Sequence, residues 1–270
     1  MVVQHNMTAA NSNRQLGIIT NQQAKSSEKL ASGYRINRAS DDAAGLSISE
    51  KMRSTIRGLD KASTNAQDGI SLIQTAEGAL NETHSILQRM NELATQAAND
   101  TNTSTDRTAI QNEIDQLTSE IDRIQSTTQF NTMNLLDGSF SAKNLQVGSL
   151  SGQKIEIKIS NMDAKSLGVS SLKVSKFSTA GAAMSSVQAA IEKVSAQRSK
   201  LGALQNRLEH TIANLDTTSE NTQASESRIR DTDMAKEMVT YSKNNILAQA
   251  GQSMLAQANQ SNQGVLSLLQ

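Results

Sequence analysis

Apolar residues recur at alternating steps of four and three between Met52 and Ala94, the pattern of a helix that buries one face. The positions of this series are Met52, Ile56, Leu59, Ser63, Ala66, Ile70, Ile73, Glu77, Leu80, His84, Leu87, Asn91 and Ala94. A repeat that averages 3.5 residues keeps the apolar stripe facing one partner helix in a left-handed coiled coil. The pattern predicts a helix over residues 46–99, on the order of 80 Å long.

A second apolar series near the other end of the chain is the expected partner. Its positions are Leu201, Leu204, Leu208, Leu215, Ile229, Val239, Ile246 and Ala250. Residues 217–227 are rich in Ser, Thr, Asn and Gln, so we expect a weaker, polar seam there. The two series predict a long antiparallel coiled-coil or helix-bundle rod. Its core seam would consist of Ile56, Leu59, Ile70, Ile73, Leu80, Leu87, Leu204, Leu208 and Leu215.

A shorter helix is predicted over residues 108–125, where five Ile and Leu residues recur at steps of four and three. The polar segment before it, residues 99–106, has the composition of a turn. Ser104, Thr105 and Asp106 are the candidate N-caps, because their side-chain oxygens can accept hydrogen bonds from the first free amides of a helix.

Between residues 130 and 176 the periodicity changes from helical to alternating. Ile155, Ile157 and Ile159 alternate with charged residues, which predicts a half-buried strand, with weaker strands at 145–147 and 172–174. The fold class expected is therefore mainly α, with a small β-hairpin region at the tip of the rod.

The chain ends carry sparse apolar residues among Asn, Gln, Ser and Ala, so neither end alone buries enough surface to offset its conformational entropy. We expect both ends to be disordered in an isolated monomer and helical once they pack against each other and against neighbouring copies. The residues expected to pack are Leu16, Ile19, Leu30, Ile246, Leu255, Val265, Leu266, Leu268 and Leu269.

Composition narrows the function classes. Lys plus Arg equal Asp plus Glu at 26 each, so no cationic excess is available to bind nucleic acid. Cysteine and proline are absent and aromatic residues make up 2%, which excludes disulfides and favours an elongated helical assembly over a globular enzyme. Neither a secretory signal nor a membrane-spanning segment is expected, since no apolar run is long enough. Composition leaves the compartment open.

Catalytic, cofactor and metal sites are not expected. His5, His84 and His210 are isolated in sequence, and none has the spacing of a metal-ligand pair. Asp41, Asp42, Asp231 and Asp233 fit helix starts, where the helix dipole favours a carboxylate. The methionines are interpreted as adaptable packing groups, and they include Met7, Met52, Met90, Met184, Met234, Met238 and Met254.

Four blocks of the chain strongly resemble bacterial flagellin. They are residues 26–80, which begin SSEKLASGYRINRASDD, TTQFNTMNLLDG at 127–138, LGALQNRLEHTIANL at 201–215, and residues 227–270, which begin SRIRDTDMAKEMVTYSKNN. The blocks cover most of the chain at spacing similar to that of the family. This match is far more specific than any short motif.

The resemblance implies a structural subunit of the flagellar filament, extracellular and exported without a cleaved signal peptide. It implies terminal helices of a filament core at 1–40 and 236–270 and a helical rod at 41–138 and 180–235. A short β-rich tip at 139–179 would replace the variable outer domains. The implied partners are further copies of the chain, the export chaperone and export apparatus, and hook-associated and cap proteins, with neither nucleic acid nor membrane insertion.

The resemblance also implies recognition by the innate receptor Toll-like receptor 5 through the rod. In this sequence Gln88, Arg89, Leu93, Glu113 and Arg207 match the family positions for that contact.

Two alternatives stay open at this point. A hook–filament junction protein shares terminal helices with flagellin and also polymerises, but only as a short ring. A coiled-coil receptor-binding or effector module would instead have rigid helical ends in a stable monomer.

Overall fold

The computed structural model describes the backbone of residues 5–267 and the side chains of residues 5–261. Within these residues the chain forms long helices and short antiparallel strand pairs, as the sequence predicts. The elements are α1 (Met7–Ser32), α2 (Ala43–Ala97), α3 (Ser104–Thr127), β1 (Gln129–Phe130), β2 (Met133–Asn134), β3 (Lys143–Gln146), β4 (Lys154–Ile157), α4 (Ala164–Leu167), α5 (Phe177–Arg230) and α6 (Met234–Ser267).

The chain divides into two compact units. Thr55–Glu220 forms one, which we call the central unit, and the described residues before Thr55 and after Glu220 form the other, the terminal unit. These boundaries do not coincide with those drawn from the sequence after residues 40 and 235. The division into filament core, rod and tip stays a prediction.

In the central unit α2 and α5 pack side by side in opposite directions. Asp60 accepts a hydrogen bond of 2.8 Å from the Ser219 hydroxyl, and farther along α2 Glu77 lies 3.7 Å from Arg198. The partner number falls as the α2 number rises, which is the register of an antiparallel pair. This agrees with the antiparallel arrangement expected from the two apolar series.

The buried face of α2 follows alternating steps of three and four. Its residues are Leu59, Ala62, Ala66, Gly69, Ile73, Ala76, Leu80, Thr83, Leu87, Met90, Ala94 and Ala97. On α5 the corresponding buried residues are Ala180, Ala183, Val187, Ala190, Val194, Gln197, Leu201, Leu208 and Leu215. Small residues occupy many of these positions, so the helix backbones can approach closely while Leu and Ile fill the space between them.

The structure corrects four positions of the predicted α2 series by one residue. Ile70, Glu77, His84 and Asn91 each follow a buried position and are themselves only half-buried, as are Ile56 on α2 and Leu204 on α5. Ile70 is apolar, and the fixed spacing of four and three carried the series from it onto three polar positions. The buried positions beside these four are Gly69, Ala76, Thr83 and Met90.

The third long helix, α3, runs back along α2 and is capped by a residue outside the predicted candidates. Thr103 is the N-cap: its hydroxyl accepts the Asp106 amide at 3.3 Å, and the Asp106 carboxylate accepts the Thr103 amide at 2.8 Å. The hydroxyl and amide of Thr103 lower the pKa of Asp106. Ile110, Ile114 and Ile121 form the buried face of α3.

The β3–β4 hairpin has the alternation predicted for Ile155 and Ile157, which are buried while Lys154 and Glu156 are exposed. Its position differs from the prediction. The Asn65 amide on α2 donates to the Gln146 carbonyl at 3.1 Å, and Gly69 faces the Leu145 side chain. These contacts lie roughly 40 Å before the end of α2 at a rise of 1.5 Å per residue. The hairpin therefore lies along the helices and not at their tip.

Residues 172–174 do not form the predicted strand; their backbone forms hydrogen bonds with a side chain instead. The Gln111 amide donates to the Leu172 carbonyl at 2.8 Å and accepts from the Val174 amide at 2.9 Å. One side-chain amide thus supplies the two hydrogen bonds that a neighbouring strand would supply. Leu172 and Val174 keep the predicted apolar alternation, but the hydrogen-bond partner of this segment is a side chain on α3 and not a strand.

Gly58 on α2 allows the hairpin loop to approach the helix. A Cβ at Gly58 would lie 2.8 Å from the Ser149 Cβ and 3.2 Å from its Cα, whereas a Cβ at Gly78 on the same helix would contact nothing within 4 Å. We expect Gly58→Ala to lower the free energy of unfolding by about 1–2 kcal/mol, because overpacking exceeds the gain in helix propensity. Chemical denaturation measures this change.

Gly78→Ala is the matched control and should raise the free energy of unfolding by about 0.5–1 kcal/mol through helix propensity alone. Equal stabilisation by both substitutions would contradict the close packing of the loop on α2.

Candidate interaction surfaces

The two terminal helices pack against each other through small and polar side chains. Asn6 caps α1 and donates to the Ala258 carbonyl on α6 at 3.0 Å. A Cβ at Gly251 would be 3.4 Å from the Leu16 side chain, so the helices approach closely at this point. The described inward positions at steps of three and four are Ala9, Ser12, Leu16, Ile19, Gln23, Ser26 and Leu30 on α1, and Glu237, Tyr241, Asn244, Ala248, Gly251, Leu255 and Ala258 on α6.

The terminal unit buries little apolar surface. Among its described residues, the buried apolar side chains are Ala9 and Ile36, and the buried polar ones are Ser26, Ser49 and Asn244. The central unit instead contains a continuous cluster of Leu, Ile, Val, Ala, Met and Phe from α2, α3, α4, α5 and the segments between α3 and α5. Burial of apolar surface is the main favourable term in folding, so the terminal unit is the weaker of the two by this measure.

The outer surface of α6 carries large apolar residues in contact with solvent. Val239 is 70% exposed and Ile246 is 66% exposed, and the two lie seven residues apart on the side of α6 away from α1. Leu247 and Met254 form a second exposed pair with the same spacing, and Met234 and Met238 form a third group one turn apart. At about 3.6 residues per turn Val239 and Ile246 point directly away from α1, whereas Met234 and Met238 lie on one flank of α6 and Leu247 and Met254 on the opposite flank. We call these six residues, which lie around the exposed sides of α6, the α6 outer face. An exposed apolar patch of this kind marks an interaction surface.

The predicted packing residues of the chain ends divide between two surfaces. Leu16, Ile19, Leu30 and Leu255 are half-buried on the faces of α1 and α6 that meet, whereas Ile246 belongs to the α6 outer face. The backbone at Val265 and Leu266 is part of α6, but their side chains lie outside the described residues, as do Leu268 and Leu269 altogether. The described parts of both ends are helical and pack against each other within the single chain. Their disorder in an isolated monomer stays a prediction.

The predicted continuous series from Leu201 to Ala250 is wrong, because the helix breaks between Arg230 and Met234. Asp233 caps α6, accepting the Lys236 amide at 3.1 Å on its carboxylate. Val239 and Ile246 therefore start a new helix phase and face solvent. The expectation that Asp233 lies at a helix start was the signal for this break.

The connector before α2 pairs with the break before α6. Tyr34 and Asp231 form an antiparallel β-bridge, with the Arg35 amide donating to the Arg230 carbonyl at 2.7 Å and the Thr232 amide donating to the Gly33 carbonyl at 3.0 Å. We call this pairing the junction. It joins segments that are about two hundred residues apart in the sequence.

Arg230 holds the junction through two charge interactions. Its guanidinium lies 4.8 Å from the centre of the Tyr34 ring, and Nη1 donates to Glu50 Oε1 at 2.9 Å. The side chain is only 13% exposed, so water screens these contacts weakly. The sequence analysis did not identify this residue, because neither apolar periodicity nor a short motif links Arg230 to Tyr34 and Glu50.

The residues that match receptor-contact positions are only partly brought together. Arg89 lies 3.0 Å from Glu113 and 3.1 Å from Glu92, all exposed, and hydrogen bonds to Glu92 and then Glu113 raise the pKa of Arg89. Gln88 is exposed one residue away, with its amide 3.1 Å from an imidazole nitrogen of the preceding turn.

Leu93 corrects the prediction, because it is 2% exposed within the central core and contributes packing instead of a surface contact. Arg207 is exposed but adjoins Leu208, whose side chain lies near Gly69 on α2. This places Arg207 roughly 30 Å along α2 from Arg89 at 1.5 Å per residue. The exposed patch is therefore Gln88, Arg89 and Glu113.

The described residues contain no group of three His, Asp or Glu side chains arranged to hold a metal ion. None of the helices within residues 5–267 combines the length and apolar character needed to cross a bilayer.

Comparison with known proteins identifies the family. Residues 3–141 match the bacterial flagellin N-terminal helical region, and residues 184–269 match the bacterial flagellin C-terminal helical region. A flagellin of Halalkalibacterium halodurans is 56% identical over 271 residues, with both chains fully covered. The chain belongs to the bacterial flagellin family. A flagellin of Bacillus subtilis is 52% identical and a flagellar filament 31.3 kDa core protein of Treponema maltophilum is 49% identical, again with full coverage of both chains.

Solved structures agree with this assignment. The crystal structure of Bacillus cereus flagellin is 35% identical with a TM-score of 0.52, covering 56% of this chain and 88% of that one. A putative flagellar hook-associated protein from Vibrio parahaemolyticus has a TM-score of 0.59 over 71% of this chain and all of its own, but only 12% identity. The second likeness shows a shared fold alone.

The junction gives a direct test of Arg230. We expect Arg230→Ala to lower the stability of the terminal unit by about 1–2 kcal/mol, since it removes the cation–π contact and the Glu50 ion pair. Hydrogen exchange of the amides at residues 33–53 and 226–237 measures the change. Arg228→Ala is the matched control, because Arg228 is exposed and its guanidinium bonds to Ser225 on its own helix. Equal exchange in both variants would contradict a holding role for Arg230.

Proposed function

We propose that this flagellin is the structural subunit of a bacterial flagellar filament used for swimming motility, and that the α6 outer face carries contact between subunits. The observation that supports the assignment of this surface is the row of large apolar side chains facing solvent on α6. They lie on a helix whose inward face is already used by α1.

Filament growth follows from the chemistry of this face. Covering one fully exposed Val, Leu, Ile or Met contributes about 1.5–3 kcal/mol, so several such residues provide a substantial drive toward association. A face that binds a different patch of the next copy forms a heterologous contact, which extends into a helical polymer when the rotation does not close. The terminal unit buries little apolar surface by itself, which also favours association. Neighbouring copies must supply the missing burial.

Each part of the chain has its own role in this proposed filament. Residues 1–40 and 236–270 form the filament core, residues 41–138 and 180–235 form the rod, and residues 139–179 take the place of variable outer domains. The core segments order fully only among neighbouring copies, because they bury little apolar surface alone.

Further partners follow from the resemblance to flagellin. The subunit is extracellular in the assembled flagellum and leaves the cell through the export apparatus without a cleaved signal peptide. An export chaperone covers the apolar C-terminal helix before export. Hook-associated and cap proteins lie at the two ends of the filament. The exposed apolar surface of α6 supports the chaperone contact, since such a surface requires cover in solution.

Of the two alternatives from the sequence, neither gains support. The hook-associated likeness is at 12% identity and concerns fold alone, while flagellins match the full chain at 52–56% identity. A coiled-coil receptor-binding or effector module would not account for family matches at both ends of the chain.

The assembly surface is tested at Ile246. We expect Ile246→Asp to abolish filament growth of purified subunits in electron micrographs, because a carboxylate cannot be desolvated in an apolar contact. Ile246→Leu is the matched control and should assemble normally. Thermal unfolding of both variants should equal that of the unchanged chain, since Ile246 is exposed in the subunit. Normal filaments from Ile246→Asp would remove this face from the contact.

Recognition by Toll-like receptor 5 remains a proposal for the patch formed by Gln88, Arg89 and Glu113. Two of these side chains are fixed relative to each other by the 3.0 Å ion pair, so they present one charged surface. Such a preorganised Arg is typical of the residues that dominate protein interfaces.

Substitution separates this patch from the rest of the rod. We expect Arg89→Ala to weaken receptor activation by subunits about tenfold, equivalent to about 1.4 kcal/mol. Arg123→Ala is the control, because Arg123 is exposed and paired with Glu120 on α3 in the same way. Both variants should unfold at the same temperature, as exposed ion pairs contribute little to stability. Unchanged activation by Arg89→Ala would exclude the patch.

A further inference from the structure

Methionine provides half of the α6 outer face. Met234, Met238 and Met254 are 49%, 54% and 61% exposed, whereas Met90 and Met162 are buried in the central unit. Cysteine and tryptophan are absent from the sequence, so thioether sulfurs are its most readily oxidised side-chain groups. The methionines of α6 are therefore accessible reducing groups, as are Met7 on α1 and Met133 on β2.

We propose that Met234, Met238 and Met254, which are exposed on two sides of α6, are oxidation-sensitive groups that control self-assembly. The oxidant is a peroxide such as hydrogen peroxide. One peroxide oxygen is transferred to the thioether sulfur as the O–O bond breaks, giving methionine sulfoxide and water. The sulfur loses two electrons and the peroxide gains them. This inference rests on the proposed function, because it requires the α6 outer face to be covered by a neighbouring copy.

Access determines which methionines react. The reagent reaches sulfur atoms on the α6 outer face directly, while the core packing around Met90 and Met162 excludes it. Met184 lies between these extremes: it is half-buried, and its sulfur accepts a hydrogen bond from the Thr95 hydroxyl at 3.3 Å. The order of oxidation expected is thus the α6 group together with Met7 on α1 and Met133 on β2 first, Met184 later and the core pair last.

The sulfoxide opposes assembly because it changes the chemistry of the face. It is polar and accepts hydrogen bonds, and it replaces a flexible apolar group. Met238 adjoins Val239, and Met254 lies seven residues after Leu247, so each modified group is beside an apolar residue that must be desolvated with it. Sulfoxide reductases reverse the change, so these methionines can act as a reversible switch. Once the face is covered in a polymer, the same sulfurs are protected.

The experiment uses purified full-length subunits treated with hydrogen peroxide. Peptide mass spectrometry should find one added oxygen at Met234, Met238 and Met254 before any at Met90 or Met162. Sedimentation should then give at least about a tenfold rise in the subunit concentration needed for filament formation. The triple substitution M234L/M238L/M254L keeps the face apolar and should assemble equally well before and after treatment.

Met133→Leu is the matched control, since Met133 is exposed on β2, away from α6. After treatment this variant should lose assembly as the unchanged chain does. Incubating the treated unchanged chain with methionine sulfoxide reductases should restore assembly, which tests the proposal independently of the triple variant.

The outcomes distinguish this inference from the proposed function. Untreated subunits that do not form filaments would overturn the proposed function. Untreated and treated subunits that assemble equally well, with the α6 methionines oxidised, would overturn only the switch. Assembled filaments whose α6 methionines oxidise as readily as those of free subunits would show that the face is uncovered, and would overturn both.

Discussion

The close packing of α1 against α6 determines where the apolar side chains of the terminal unit can lie. Gly251 opposite Leu16 and the buried polar residues Ser26 and Asn244 allow the two helices to approach, and the inward positions of α6 follow one another at steps of three and four. Val239 and Ile246 consequently face away from this seam. The terminal unit thus leaves apolar surface for another molecule to cover.

Periodicity predicted the long helices and β4 well, because each buries one face over many residues and the repeat is a local property. Periodicity was less accurate about which residues of each helix are buried. The α2 series placed Ile70 and Glu77 at the centre, where the structure has Gly69 and Ala76. The fixed spacing misled the prediction, since it carried the series onto Glu77, a charged residue, while the small residues Gly69 and Ala76 beside the series are buried.

Features set by single contacts between distant segments could not be predicted from a repeat. Gln111 pairs with the backbone at residues 172–174, and the glycine at position 58 positions a loop of the hairpin. The same holds for Arg230, whose partners Tyr34 and Glu50 lie almost two hundred residues away in sequence. The family resemblance predicted that the terminal helices form subunit contacts. Which of their residues face inward and which face outward was visible only in the structure.

The pairing of the first helix with the last one has a consequence for the order of folding. Leu16 and Gly251 are neighbours across 235 residues of sequence, so their contact has one of the highest sequence separations available to this chain. Closing so long a loop is entropically costly until the intervening segment has become compact. The central unit, whose helices meet through much shorter loops, therefore folds first. While the chain is still being synthesised or is passing through a narrow channel, α1 has no partner helix of its own, and the terminal unit completes only when the whole polypeptide has emerged.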